Sequence, residues 1–254
     1  MNLPETPSFS LVGKRALVVG ASSGIGSACA VALAEHGATV TLAARRENRL
    51  ADLKEQMLLK GWSANTLKID VTDVKDTAQT LESNEAFDIL VNSAGIAKHS
   101  TSEDTSPYDF ETVMETNLRG AYFLTQAVAK SLIAAGKPGS LINISSQMGL
   151  VGGQERAVYC ASKHAVEGFS KAMAIEFGPS NIRVNTICPT FILTEMTRNT
   201  LKQPDKRAWI ESKIKLGRVG KVEDIMGAVV YLASDASALV TGSALLIDGG
   251  WTAG

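Results

Sequence analysis

Apolar runs of a few residues alternate along the whole chain with stretches in which apolar positions recur every three or four residues. The runs at residues 15–19, 39–42, 66–69, 89–91, 141–144, 183–187 and 244–247 predict seven strands. Most are near-continuous apolar runs rather than alternating ones, the pattern of strands covered by helices on both faces. Between them, residues 47–60 set Leu50, Leu53 and Met57 on one stripe, which predicts an amphipathic helix. Residues 154–177 set Ala157, Ala161, Ala165 and Gly168 at the same spacing, and so small a stripe predicts close packing against another helix. Strand and helix in alternation specify βαβ units, so the fold class is α/β: one doubly wound, parallel, seven-stranded sheet with helices on both faces.

No linker, repeat or low-complexity tract divides the sequence, and residues 1–254 are expected to form a single domain. The stretch 191–222 is too long for a routine connection and is expected to carry short helices of its own, as a lid over the substrate. Within it, residues 198–221 hold eight cations against Asp205 and Glu211, a local charge of +6, interleaved with Leu201, Trp209, Ile210, Ile214 and Leu216.

Composition narrows the partners. Apolar residues at 45% and charged residues at 20% are enough for a sizeable core and exclude a disordered or collagenous chain. The net charge of -1 lacks the basic footprint of a nucleic-acid binder. Cys29, Cys160 and Cys188 are widely spaced, with no CxxC and no Cys/His cluster, so neither a metal site nor a disulfide framework is expected. No apolar run is long enough to span a membrane and no signal-like leader is present, so the expected location is the cytoplasm.

The first predicted strand runs directly into Gly20-Ala21-Ser22-Ser23-Gly24-Ile25-Gly26 and then a small apolar helix. Glycines permit a tight turn and close approach to a pyrophosphate, whose charge the free N–H groups at the helix start attract. That context points to a Rossmann-type dinucleotide site. After the second strand, Ala44 stands where an NAD site usually has an acid, followed by Arg45, Arg46 and Arg49. Cations at a helix start oppose its dipole, which makes more sense if a 2′-phosphate sits among them and favours NADP. Glu47 could instead reach the ribose and restore a preference for NAD.

Tyr159 and Lys163 are four apart in a predicted helix and share a face, where an ammonium is expected to lower the tyrosine pKa. Ser145 and Ser146 end the fifth strand, and Asn92-Ser93-Ala94-Gly95 ends the fourth, both at the sheet edge where open α/β folds bind ligands. Taken in order, Gly20-x3-Gly24-x-Gly26, Asp70-Val71, Asn92-Ser93-Ala94-Gly95, Asn117, Ser146, Tyr159-x3-Lys163 and Pro189-x4-Thr194 resemble the short-chain dehydrogenase/reductase family, from Leu11 to Trp251.

The resemblance implies that Tyr159 is the general acid/base, that Lys163 lowers its pKa and binds the nicotinamide ribose, and that Ser146 positions the substrate oxygen. It implies that Asn117 supports a water relay to Lys163. The glycine turn with Ser22, Ser23 and Ile25 would hold pyrophosphate, and Asp70 and Val71 would flank adenine. Asn92, Ala94 and Gly95 would contact the adenosine side, and Pro189, Ile192 and Thr194 the carboxamide. Ala44 and Arg45 match the family's NADP-preferring pattern, with Arg46 beside them.

Three positions depart from the family pattern: Val19, Ser93 and Thr190. The first two predict looser contact between the glycine loop and the fourth strand. Acyl-carrier-protein ketoreductases and sugar or polyol dehydrogenases both resemble the chain, and a homotetramer is implied. The expected activity is hydride transfer between NADP and a ketone or secondary alcohol. The alternatives are the same chemistry with NAD, a silent dinucleotide-binding protein that keeps the site without turnover, or a methyltransferase on a related sheet. Candidate substrate-pocket residues are His99, Gln147, Met148, Gln154, Phe191, Met196 and Trp209.

Overall fold

The structure is a computed structural model and describes residues 3–254. Seven strands pair in parallel in the order β3-β2-β1-β4-β5-β6-β7. They are β1 (Arg15–Val19), β2 (Thr39–Ala44), β3 (Ala64–Lys68), β4 (Ile89–Asn92), β5 (Gly139–Ile144), β6 (Ile182–Pro189) and β7 (Ala244–Ile247). The order reverses between β1 and β4, and the crevice at their carboxyl ends is where such sheets bind ligands. β1 has four of its five residues fully buried, as its unbroken apolar run requires. β3 starts two residues before its apolar run, because pairing with β2 from Val40↔Ala64 onward carries polar Asn65 into an edge strand.

Helices cover both faces. The first three are α1 (Gly24–Glu35), α2 (Glu47–Leu59) and α3 (Val74–Glu82). Next come α4 (Pro107–Met114), a π-helical turn Glu115–Gly120 and α5 (Ala121–Ala134). The remainder are α6 (Ala157–Phe177), α7 (Arg198–Leu201), α8 (Pro204–Lys213) and α9 (Glu223–Ala233). One apolar layer joins α1 and α9 to one sheet face through Cys29, Leu33, Val40, Ile225 and Val229. The other joins α5 and α6 to the opposite face through Leu17, Leu90, Leu124, Leu141 and Met173.

α6 begins at Ala157 rather than at 154, because Glu155 takes a left-handed φ of 57° that breaks the helical run. The helix buries Cys160, Ser162, Lys163, Val166, Glu167 and Ser170. Ala157, Ala161 and Gly168 of the small-residue stripe are exposed, so the stripe is not a contact between helices of one copy.

The stretch 191–222 carries α7 and α8, and Leu201, Ile210, Ile214 and Val219 form a separate small core with Phe191 and Trp251 against it. Its far end is fastened where Arg218 donates to both carboxylate oxygens of Asp224 at 2.7 and 2.9 Å. That pairing, with a bond from the Lys221 N–H, draws the Asp224 pKa down to about 2. Among the described residues no helix is long and apolar enough to cross a membrane, and no group of His, Cys, Asp and Glu could hold a metal ion.

Candidate active site

Two cavities meet at Tyr159, at the carboxyl edge of the sheet. The larger is a groove of about 1190 Å³ including its open mouth, and the smaller a pocket of about 670 Å³. The groove is cut across the ends of β1, β2 and β4. Gly20, Ser22, Ser23, Gly24, Ile25, Arg45, Arg46, Asp70, Val71, Ala94, Gly95, Tyr159, Lys163 and Thr194 all line it.

The glycine turn is shaped by close backbone approach. Gly20 has a φ of +84°, and a Cβ there would sit 2.7 Å from the Ser93 carbonyl carbon. Contact with the fourth strand is therefore tight despite Val19 and Ser93, and Ser93 N–H donates to Val19 O at 2.8 Å. The first turn of α1 has no acidic residue and no side-chain cap, which leaves its N–H groups for an anion such as a pyrophosphate. A dinucleotide fits this groove: a glycine floor, uncapped helix N–H groups and arginines at one end.

Four residues assigned to the cofactor stand elsewhere. Gly26 is pressed against its own turn, where a Cβ would meet Gly20 O, so its role is packing. Asn92 is buried and ties strands together, donating to Asn143 Oδ1 at 3.2 Å and accepting from Ala94 N–H at 3.2 Å. Pro189 and Ile192 line the smaller cavity, not the groove.

At the adenosine end, Arg46 rather than Arg45 is held in the glycine turn. Its Nη2 donates to Ser22 Oγ at 2.8 Å and to Ser23 Oγ at 2.9 Å. Arg45 lies 3.9 Å from Asp70. Glu47 pairs with Lys68 at 3.1 Å and does not line the groove. Glu195, which the sequence reading passed over, lines the groove, accepts from Arg49 Nη1 at 2.8 and 2.9 Å and lies 3.7 Å from Arg46. Its only sequence signal is its place directly after Thr194.

At the other end, Lys163 is buried, with its Nζ donating to Ile144 O at 2.9 Å and lying 5.8 Å from the Tyr159 ring centre. Burial lowers its pKa to about 8, against the opposing pull of Cys188 and Glu167. The Tyr159 pKa is raised, contrary to the sequence expectation, because lost hydration outweighs the Ser146 hydroxyl and Arg156, which pull it down. Ser146 Oγ accepts from Met148 N–H at 3.1 Å, so its own proton stays available for a further acceptor. Asn117 lies in the π-helical turn, an irregularity often found at functional sites. Its amide bonds both the N–H and the carbonyl of Ile96 at 2.9 Å and donates to Ser162 Oγ at 3.1 Å. It thereby fixes the loop after β4, which passes beside Lys163 at Gly95.

Of the predicted pocket residues, His99, Gln147, Met148, Phe191 and Met196 line the smaller cavity. Gln154 is exposed ahead of α6 and does not reach it, and Trp209 packs on Trp251 at 5.8 Å. Arg156 and Thr190 line it unforeseen. Arg156 precedes α6 directly, three residues before Tyr159, and that nearness in sequence is its signal.

Known proteins resemble the chain over nearly its whole length. A family model described as enoyl-(acyl carrier protein) reductase matches residues 20–252. D-erythrulose reductase of Gallus gallus is 38% identical over 245 residues, which cover 96% of this chain and 98% of the relative. Gluconate 5-dehydrogenase of Gluconobacter oxydans (strain 621H) is 38% identical over 248 residues, 96% of either chain. The crystal structure of a gluconate 5-dehydrogenase from Burkholderia cenocepacia J2315 in complex with NADP and tartrate is similar with a TM-score of 0.94 at 34% identity, covering 97% of this chain and 98% of that one. Likeness of this extent, in sequence and in fold, means that the chain belongs to the short-chain dehydrogenase/reductase family, as an oxidoreductase acting on CH–OH and C=O groups.

Proposed function

We propose that the protein is an NADP(H)-dependent oxidoreductase that interconverts a ketone and a secondary alcohol on a polyhydroxylated, sugar- or polyol-like substrate. The observation that carries this reading is the position of Tyr159, half-buried where the dinucleotide groove and the smaller cavity meet. NADP is supported by Arg45 and Arg46 at the adenosine end, with Glu47 turned to Lys68 and so absent from the place an NAD-selecting acid would take. The substrate class is supported by relatives such as D-erythrulose reductase and gluconate 5-dehydrogenase.

When bound, the nicotinamide supplies or accepts the hydride. Tyr159 moves the proton. A raised pKa keeps its phenol protonated at neutral pH, which suits it to protonate a carbonyl oxygen during reduction and to take that proton back in oxidation. Ser146 Oγ, whose acceptor side is taken by Met148 N–H, donates to the same substrate oxygen and orients it. Lys163, poised near neutrality, restores the proton to Tyr159 and holds the ribose side of the groove. Asn117 keeps the Ile96 backbone and the Lys163 surroundings in place. The stretch 191–222 overhangs the smaller cavity through Phe191, Thr197 and Thr200 and serves as its lid.

The same reading makes the functional unit a homotetramer, supported by the exposed small-residue face of α6 and by Leu246 on the edge strand β7, 39% exposed. The activity is tested by screening purified protein with NADPH against ketoses, keto acids and simple ketones. Oxidation of NADPH with polyhydroxylated carbonyl compounds is the expected result, and no turnover across the panel would overturn the proposal.

A further inference from the structure

The smaller cavity carries a charge and three unmet hydrogen-bonding atoms that the reduction of a plain ketone does not use. Its lining contains no Asp or Glu, and its one strong cation is Arg156. The guanidinium donates to the backbone carbonyl of Glu155 at 3.2 Å. Among the described residues no carboxylate lies within salt-bridge distance of it, whereas the lid arginines Arg207 and Arg218 are paired with Glu211 and Asp224. Its surroundings are otherwise positive: the His99 pKa is lowered by burial first and then by Arg156 and Lys206, with the exposed Glu155 opposing.

Arg156 also precedes the first turn of α6, which has neither a capping side chain nor an acidic residue, so the helix adds positive potential at that point. Gln147, also in the lining, is 1% exposed, and its Oε1 accepts from nothing. Thr190 Oγ1 and Ser145 Oγ are buried and also without a partner. Buried polar atoms left unpaired are costly, and those at a binding site are the ones a ligand satisfies. Gln147 Oε1 calls for a donor, which a hydroxyl supplies and a carbonyl or an alkyl chain does not.

We infer that the cavity is built for a polyhydroxylated carboxylate, an aldonate or its keto acid, whose carboxylate meets Arg156 while hydroxyls meet Gln147 and Thr190. This rests on the assignment of the smaller cavity as the substrate site and adds the ionic end of the substrate. Arg156 is then a specificity residue: a charge-assisted bond to carboxylate separates an acid from its neutral counterpart by about ten- to a hundredfold in affinity.

The test uses two six-carbon polyols that differ at one end, D-gluconate and D-sorbitol. Each is titrated calorimetrically into the NADP⁺-saturated protein and into Arg156→Gln, which is first shown to bind NADP⁺ with wild-type affinity. The expected result is gluconate bound at least tenfold tighter than sorbitol by the wild type, with the difference lost in Arg156→Gln. Equal affinities in the wild type, absence of gluconate binding, or a preference that survives in the variant would each overturn the inference. Turnover of both compounds with NADP⁺ is recorded separately. Oxidation of sorbitol without any gluconate preference would leave the oxidoreductase reading standing while removing the carboxylate, and gluconate binding without turnover of either compound would do the reverse.

Discussion

Glu195 and Arg49 join across the mouth of the dinucleotide groove, the carboxylate accepting from Nη1 at 2.8 and 2.9 Å, although they are 146 residues apart in the chain. Glu195 follows Thr194 at the end beside the smaller cavity, while Arg46, 3.7 Å from the same carboxylate, is anchored in the glycine turn by Ser22 and Ser23. A 2′-phosphate among these arginines therefore competes with a resident carboxylate. Exposed pairs of this kind are screened by water and hold their partners weakly, so an arriving phosphate can displace the carboxylate. Glu195→Gln should tighten NADP⁺ by about two- to fivefold. NAD⁺, which has no phosphate to offer, should change less. Fluorescence titration of both cofactors checks this, and equal gains for the two would mean that the carboxylate does not compete with phosphate.

Arg46 makes the second case. Its bonds to Ser22 and Ser23 hold the guanidinium rigidly at the groove wall, and a charge-assisted phosphate contact is worth about 1.5–3 kcal/mol. Arg46→Ala should therefore lower kcat/KM for NADPH by about ten- to a hundredfold. The value for NADH should fall far less. Steady-state rates with both cofactors decide it, and a parallel loss would assign Arg46 to shaping the glycine turn instead.

Lys163 predicts a pH dependence of stability. Its folded pKa, lowered from 10.5 to about 8 by burial, means that the folded state carries a penalty whenever the group is charged. Below about pH 8 that penalty is present in full. As pH rises from 8 to 10.5 the folded protein loses the proton before the unfolded chain does, and the penalty disappears. Across that interval the wild type should gain about 3 kcal/mol of unfolding free energy relative to Lys163→Met. Urea titrations of both proteins at pH 7.5 and 10.5 measure the difference. A constant gap would show that Lys163 titrates normally in the fold.

The α6 face carrying Ala157, Ala161 and Gly168 is exposed in one copy, and an added Cβ at Gly168 meets nothing within 4 Å. In the proposed tetramer that face is covered, so Gly168→Lys should dissociate the assembly while leaving the fold of one copy intact. Sedimentation velocity at micromolar concentration should give a tetramer for the wild type and a smaller species for the variant. A monomeric wild type would remove the tetramer from the proposal.

What was legible in the chain was whatever rests on local spacing. Tyr159 and Lys163 share a helical face, the β1 run is apolar because both sheet faces are covered, and the glycine turn is read directly from Gly20, Gly24 and Gly26. What was illegible depends on partners far away in sequence. Asn92 reads as a cofactor residue at a strand end, but its amide faces Asn143 of β5. The tyrosine pKa moves upward because burial is a property of the whole fold, and a helical i,i+4 pair alone does not disclose it. The start of α6 was misplaced because Glu155 takes a left-handed conformation that no propensity favours.

The central claim is that Tyr159 transfers the proton at a site where NADP(H) exchanges the hydride, and turnover by Tyr159→Phe tests it most directly. The ring remains and only the hydroxyl goes, so NADPH binding should stay within about twofold while kcat falls by about a hundred- to ten-thousandfold. Measured with NADPH and a polyhydroxylated ketone that the wild type reduces, that split is the predicted result. Near-wild-type turnover in the variant would contradict the account and place the acid on another residue.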